Sequence, residues 1–144
     1  MPTPDSVFSL LSPQDAIIAI MIGATLSDET VSTSELLTIE RTIFHLPAFR
    51  NYDADRIPLL FQAVVELFQE EDGLDAFLGL IKDGLPERMS PTAYLLACDI
   101  IAADGRFKIE ESRFLEELAL ALELNTSQTR EMLRSTAYRY RALE

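Results

Sequence analysis

"SPTAYLLACDIIAADGRFKIEE", residues 90–111, decides the fold. Ser90-Pro91 reads as a helix start, because Ser caps a helix N-terminus and Pro is pre-set for the first helical position. An apolar run continues through Ala103, and Asp104-Gly105 ends it, since Gly105 accepts the positive φ of a tight turn. Glu110 and Glu111 then mark a second helix, where the helix dipole favours acids in the first turn. One acid, Asp99, sits inside the apolar run, with Leu95, Leu96, Ala102 and Ala103 as its helical neighbours. A carboxylate in that setting needs a partner, because burying it unpaired is costly.

The same device stands earlier in the chain. Ser12-Pro13 precedes an apolar run from Ala16 to Leu26, which ends at Ser27-Asp28. At an offset of 76 residues Asp28 falls on Asp104, Glu35 on Glu111, Ile39 on Leu115 and Leu46 on Leu122, while Gly23 falls on Asp99. Ser32 and Glu35 have capping-box spacing. Leu36, Ile39, Ile43 and Leu46 follow at helical spacing until Pro47. Asp53 reads as the cap of a third helix carrying Ile57, Leu60, Val64 and Phe68, with Pro58 tolerated in its first turns and Asp72-Gly73 as its stop. A shorter helix spans Leu74 to Lys82. Phe114, Leu115, Leu118 and Leu122 mark another, and Asn125 or Thr126 starts the last. Alternating strand segments are missing from this pattern. The expectation is an all-α, compact single-domain bundle of about seven helices over residues 1–144. It contains a pseudo-symmetric helix–turn–helix duplication, with units at about 13–46 and 90–124 and connecting helices at about 53–83.

Composition narrows the function. Hydrophobic residues make up 48% and charged residues 25%, which suits a packed globular domain. The net charge of −12 opposes binding to nucleic acid, which works by neutralising phosphates. Residues 1–40 hold six acids and no Lys or Arg, whereas the last 15 residues hold four Arg. Cys98 is the single cysteine, so no disulfide forms within the chain and a reducing compartment is expected. No basic segment of the signal-peptide type opens the chain, and no apolar run approaches the roughly 20 residues of a membrane span.

The acids carry the main chemical question. The stretch from Asp104 reads D-G-R-F-K-I-E-E, and Arg and Lys at its third and fifth positions exclude a calcium-binding EF-hand loop. Asp104 and Glu111 nevertheless flank one short connection, where two carboxylates can converge on a hard cation such as calcium, magnesium or manganese. Asp28 and Glu35 are their counterparts in the first unit, and Asp99 is a third candidate ligand. Asp99 and Asp104 stand five residues apart, about 140° around an unbroken helix, so they meet only if the helix breaks at or before Asp104. The competing reading makes these acids structural, as turn formers, dipole partners and ion-pair members. His45, the only histidine, lies beside a Pro-terminated helix end and has no second histidine for zinc. Cys98 reads as buried and inert. The sequence has no nucleophile elbow and no Gly-rich phosphate loop, and no catalytic group is assigned. "QEEDGLD", residues 69–75, reads as a solvated turn.

The stretch "AADGRFKIEES" resembles the Ala-Asp-Gly-x-hydrophobic-x-x-x-Glu signature of the TerB-like, tellurite-resistance-associated family. "SDETVSTSELLTIERTIFHLPAF" with "YDADRI" resembles the first half of its two-repeat bacterial members, and "EEDGLDAFLGLIKDGLPERMSPTAYLLACDIIAADG" their middle. The likeness runs from about residue 13 to 140. It implies a seven-helix bundle with an internal repeat, in a cytoplasmic bacterial protein linked to tellurite or chemical stress. It further implies a non-enzymatic metal-binding module or a scaffold in a protein or membrane-associated complex, peripheral at the inner membrane face. Asp104, Glu111, Asp28 and Glu35 match the family pattern, and Asp99 matches an often acidic position. Glu29 replaces the signature glycine in the first unit, so that turn departs from the pattern.

Overall fold

The computed structural model describes residues 11–26, 33–104, 109 and 112–143, without the side chains of residues 33–35 and 104. Among the described residues it is all-helical, with seven α-helices and no strand. In chain order they are α1 (Pro13–Leu26), α2 (Thr33–Phe44), α3 (Arg56–Phe68), α4 (Gly73–Gly84), α5 (Ser90–Asp104), α6 (Arg113–Ala121) and α7 (Thr126–Arg139). Short 3-10 turns at Pro47–Phe49 and Glu87–Met89 precede α3 and α5.

Helix α1 is the centre. Every residue from Asp15 to Thr25 is buried, as expected of a helix apolar on all sides. It packs against α2, α3, α4, α5 and α6, while α7 lies on the other side of α5. The start of α1 follows from Ser12-Pro13. The Ser12 hydroxyl accepts the Asp15 N–H at 3.0 Å, and the Asp15 carboxylate accepts the Ser12 N–H at 3.3 Å, a reciprocal capping box with Asp as the second member. Gly23 sits where α1 meets two rings. A methyl group there would stand 2.8 Å from the Phe114 ring and 3.2 Å from Phe77.

The outer helices bury one stripe each. Ile57, Leu60, Val64 and Leu67 of α3, Phe77, Leu78 and Ile81 of α4, and Phe114, Leu115 and Leu118 of α6 all reach the same core. Asn125 caps α7 in a full capping box with Gln128. Asp53 braces the turn before α3 by accepting the Asp55 N–H at 3.0 Å, and Pro58 lies in the first turn of α3.

Several boundaries differ from the sequence reading: α2 ends at Phe44 and not at Leu46, the N-cap of α3 is Asp55 and not Asp53, and α6 starts at Arg113, after Glu110 and Glu111, with Glu116 as its first-turn acid. Helix α3 ends at Phe68, before Asp72-Gly73, and Gly73 instead opens α4. The glycine is required by close approach, because a Cβ there would overlap the Leu67 carbonyl oxygen. Ser90 is already helical, at φ −58° and ψ −45°, because the preceding 3-10 turn runs straight into α5. The capping pair Ser32–Glu35 and the turn at Ser27-Asp28 lie outside the described residues.

Candidate functional site

Asp99 faces α7. Its carboxylate accepts a hydrogen bond from the Arg139 guanidinium, and the two form an ion pair. Burial pushes the Asp99 carboxyl above its ordinary range, and the bond and charge of Arg139 only partly offset this. Helix α5 carries Asp99 in its interior and has Asp104 as its last residue. Asp28 and Glu111 lie outside the described residues, as do the side chains of Asp104 and Glu35. Ser112 is the N-cap of α6, its hydroxyl accepting the Leu115 N–H at 3.2 Å. Among the described residues no three His, Cys, Asp or Glu side chains gather into a metal-holding group.

Cys98, beside Asp99, is fully buried. Burial first, and then the charge of Asp99, push its thiol up to about 12, against the pull of hydrogen bonds with Tyr94 and Thr136. A thiol so placed stays protonated and is a poor nucleophile.

A fully buried acid joins α1 to α3. Asp15, 1% exposed, accepts the Tyr52 hydroxyl at 2.9 Å and a two-pronged grip from Arg56, with Nε at 3.0 Å and Nη2 at 2.7 Å. Burial alone would raise the Asp15 carboxyl, but the bonds from Arg56, Tyr52 and Ser12 outweigh it and leave the carboxyl below its ordinary range. Burial, followed by the adjacent Asp15, drives the Tyr52 hydroxyl the other way, well above its usual range. Gln14 extends the clamp by donating to the carbonyls of Ala48 at 2.9 Å and Arg50 at 3.2 Å. Sequence reasoning overlooked this constellation. The signal was present in Ser12-x-x-Asp15, a capping-box spacing, with Tyr52 opening and Arg56 closing the "YDADR" stretch.

The clamp backs an open cleft of about 540 Å³ between the end of α2 and the start of α3. Its walls include Ile43, Phe44, His45, Leu46, Phe49 and Tyr52, with Glu40 and Arg50 as charged members. Asn51, in the left-handed region at φ 65°, turns the chain at its edge, and Asn tolerates that conformation better than most residues. Phe44 is 79% exposed, and its ring meets His45 edge-on at 4.9 Å. His45 makes no hydrogen bond to another described residue, so nothing described poises it as a base.

A family model described as "Tellurite resistance protein TerB" matches residues 14–134. Comparisons with curated proteins and with solved structures gave no match.

Proposed function

This chain belongs to the tellurite resistance protein TerB family, and from that premise we propose that it is a non-enzymatic, stress-associated docking module. Its partner is a protein presenting an apolar side chain to the cleft of Phe44 and His45. The observation that carries this reading is Phe44, a large aromatic left mostly in water at the mouth of a cleft. Exposed aromatics beside a cavity are the usual anchors of protein interfaces. The two well-placed acids of the described chain support it from the other side. Asp15 and Asp99 are each engaged by an arginine, and so act as internal braces. In this reading the protein works in the cytoplasm, at the inner membrane face when its partner is a membrane-bound complex. The test is complementation of a tellurite-sensitive deletion of the gene. Wild type restores tolerance and Phe44→Asp, at an exposed position, does not. Full rescue by a folded Phe44→Asp protein would remove the cleft from the function.

The second reading is a weak divalent-cation site at Asp104 and Glu111, repeated at Asp28 and Glu35. It draws support from Ser112, which caps α6 through its own hydroxyl, so that the capping needs no carboxylate. A cation that binds only the folded state stabilises it by about 2.7 kcal/mol at a hundredfold excess over Kd. Thermal unfolding with millimolar calcium, magnesium or manganese decides between the readings. A rise in Tm that Glu111→Gln abolishes favours the cation, and an unchanged Tm favours docking alone.

A further inference from the structure

The C-terminal arginines divide into two kinds. Arg139 is spent on Asp99. Arg130, Arg134 and Arg141 make no ion pair with a described residue, and all three line a second cleft, of about 470 Å³, along α7. Its described lining comes from α7 and from Arg141 just beyond it. A step of four residues keeps Arg130 and Arg134 on one side of α7, about 6 Å apart along its axis, and Arg141 follows two residues beyond the helix end. Arg141 is steadied by the Tyr138 ring, its guanidinium carbon lying 5.1 Å from the ring centroid. Leu133 and Ala137 supply an apolar floor, and Thr126 adds a hydroxyl at the helix N-terminus, the positive end of its dipole.

An ordinary solvated face would intersperse acids with these bases. Glu131 is the single acid of α7, and it is not part of the cleft lining. Like charges four residues apart repel by a few tenths of a kcal/mol, and a polyvalent anion between Arg130 and Arg134 removes that repulsion. The chain as a whole is strongly acidic, with a net charge of −12. Screening decides which field an incoming anion meets. At physiological salt charges beyond about 8 Å are largely screened, so the cleft arginines and their α7 neighbour Glu131 set the local field more than the net charge does. Guanidinium forks match phosphate oxygens two at a time, which a lysine patch does not.

We propose that the α7 cleft is a binding site for phosphate groups, with Arg130 and Arg134 gripping one phosphate or pyrophosphate unit and Arg141 its neighbour. The phosphate belongs either to a soluble phosphorylated molecule, whose organic part rests on Leu133 and Ala137, or to a phospholipid headgroup. The site is separate from the Phe44 cleft and does not depend on the docking reading.

The experiment titrates the full chain with inorganic pyrophosphate by calorimetry at low and at physiological salt. A second arm pellets the protein with phosphatidylcholine vesicles containing phosphatidylglycerol, and with phosphatidylcholine alone. Wild type should bind at least one probe, more weakly as salt rises. Arg130→Gln/Arg134→Gln, at exposed positions that leave the core untouched, should weaken that binding at least tenfold. Lys82→Gln, a cation elsewhere on the surface, should leave it unchanged. Pyrophosphate binding without pelleting assigns a soluble ligand, and pelleting only with the anionic vesicles assigns a headgroup. Silence in both arms, or equal binding by the double variant, overturns the site.

Discussion

Removing the Asp15 carboxylate tests the mechanical core of the structure. Asp15→Ala deletes the acceptor of the Tyr52 hydroxyl, both prongs of Arg56 and one half of the α1 capping box. Breaking a buried ion pair by removing one partner costs about 3–5 kcal/mol. Arg56 is 38% exposed, so its orphaned charge regains water, which pulls the ion-pair share toward the lower end. The half-buried Tyr52 hydroxyl left without its partner adds about 1–2 kcal/mol, and the lost capping bond about 0.5–1 kcal/mol. We therefore expect a loss of about 5 kcal/mol, which at about 2–4 °C per kcal/mol lowers Tm by about 10–20 °C. Urea unfolding followed by circular dichroism gives the energy, and the same variant with Tyr52→Phe gives the coupling. The pH dependence supplies a signature. The folded-state carboxyl of Asp15 lies below its unfolded value, so its contribution is full above the unfolded pKa of about 3.9 and is lost as pH falls through the lower folded value. The gap between wild type and Asp15→Ala should thus be constant at neutral pH and close only under strongly acid conditions. A loss below about 1 kcal/mol, or strict additivity with Tyr52→Phe, would refute the clamp.

The other perturbations have contrasting signs. Asp99→Asn should change stability by no more than about 1 kcal/mol at neutral pH, because it removes a carboxylate that burial already disfavours and releases a half-exposed Arg139 to water. Its pH trend runs opposite to that of Asp15. The folded pKa of Asp99 is raised, so wild type gains stability at this site as pH falls through that value toward the unfolded one, and a urea titration series showing the reverse contradicts the burial of Asp99. Gly73→Ala should cost about 2–3 kcal/mol, since its Cβ overlaps the Leu67 carbonyl and the chain must shift. A neutral result from thermal unfolding means that the turn between α3 and α4 is looser than drawn.

The helices were legible because each is announced locally. Ser12-Pro13 and Asn125 supply caps that form as their chemistry dictates, and the apolar stripe of α3 is the buried one. Gly73 was legible as punctuation and not as a contact. Its need for close approach to Leu67 is a tertiary fact with no periodicity in sequence. The Asp15 clamp was missed for a related reason. Its members stand 37 and 41 residues apart, and only the packing of α1 against α3 brings them together. Asp99 is legible as an acid that needs a partner, but that Arg139 is one follows only from the docking of α7 on α5. We propose that the helix pairs α1–α2 and α5–α6 are copies of one unit, over about 13–46 and 90–124.

The two arginine-braced acids explain where binding chemistry is left over. An interior carboxylate commits one cation to it, because an unpaired charge in a packed core costs more than any surface contact returns. Arg56 and Arg139 are committed in this way, and both lie on helices that wrap the α1–α5 centre. What remains uncommitted lies outside that centre, in the aromatic cleft before α3 and the arginine cleft along α7. Helix α1, buried on every side and held against Phe77 and Phe114 at Gly23, has no slack with which to carry a displacement from one cleft to the other.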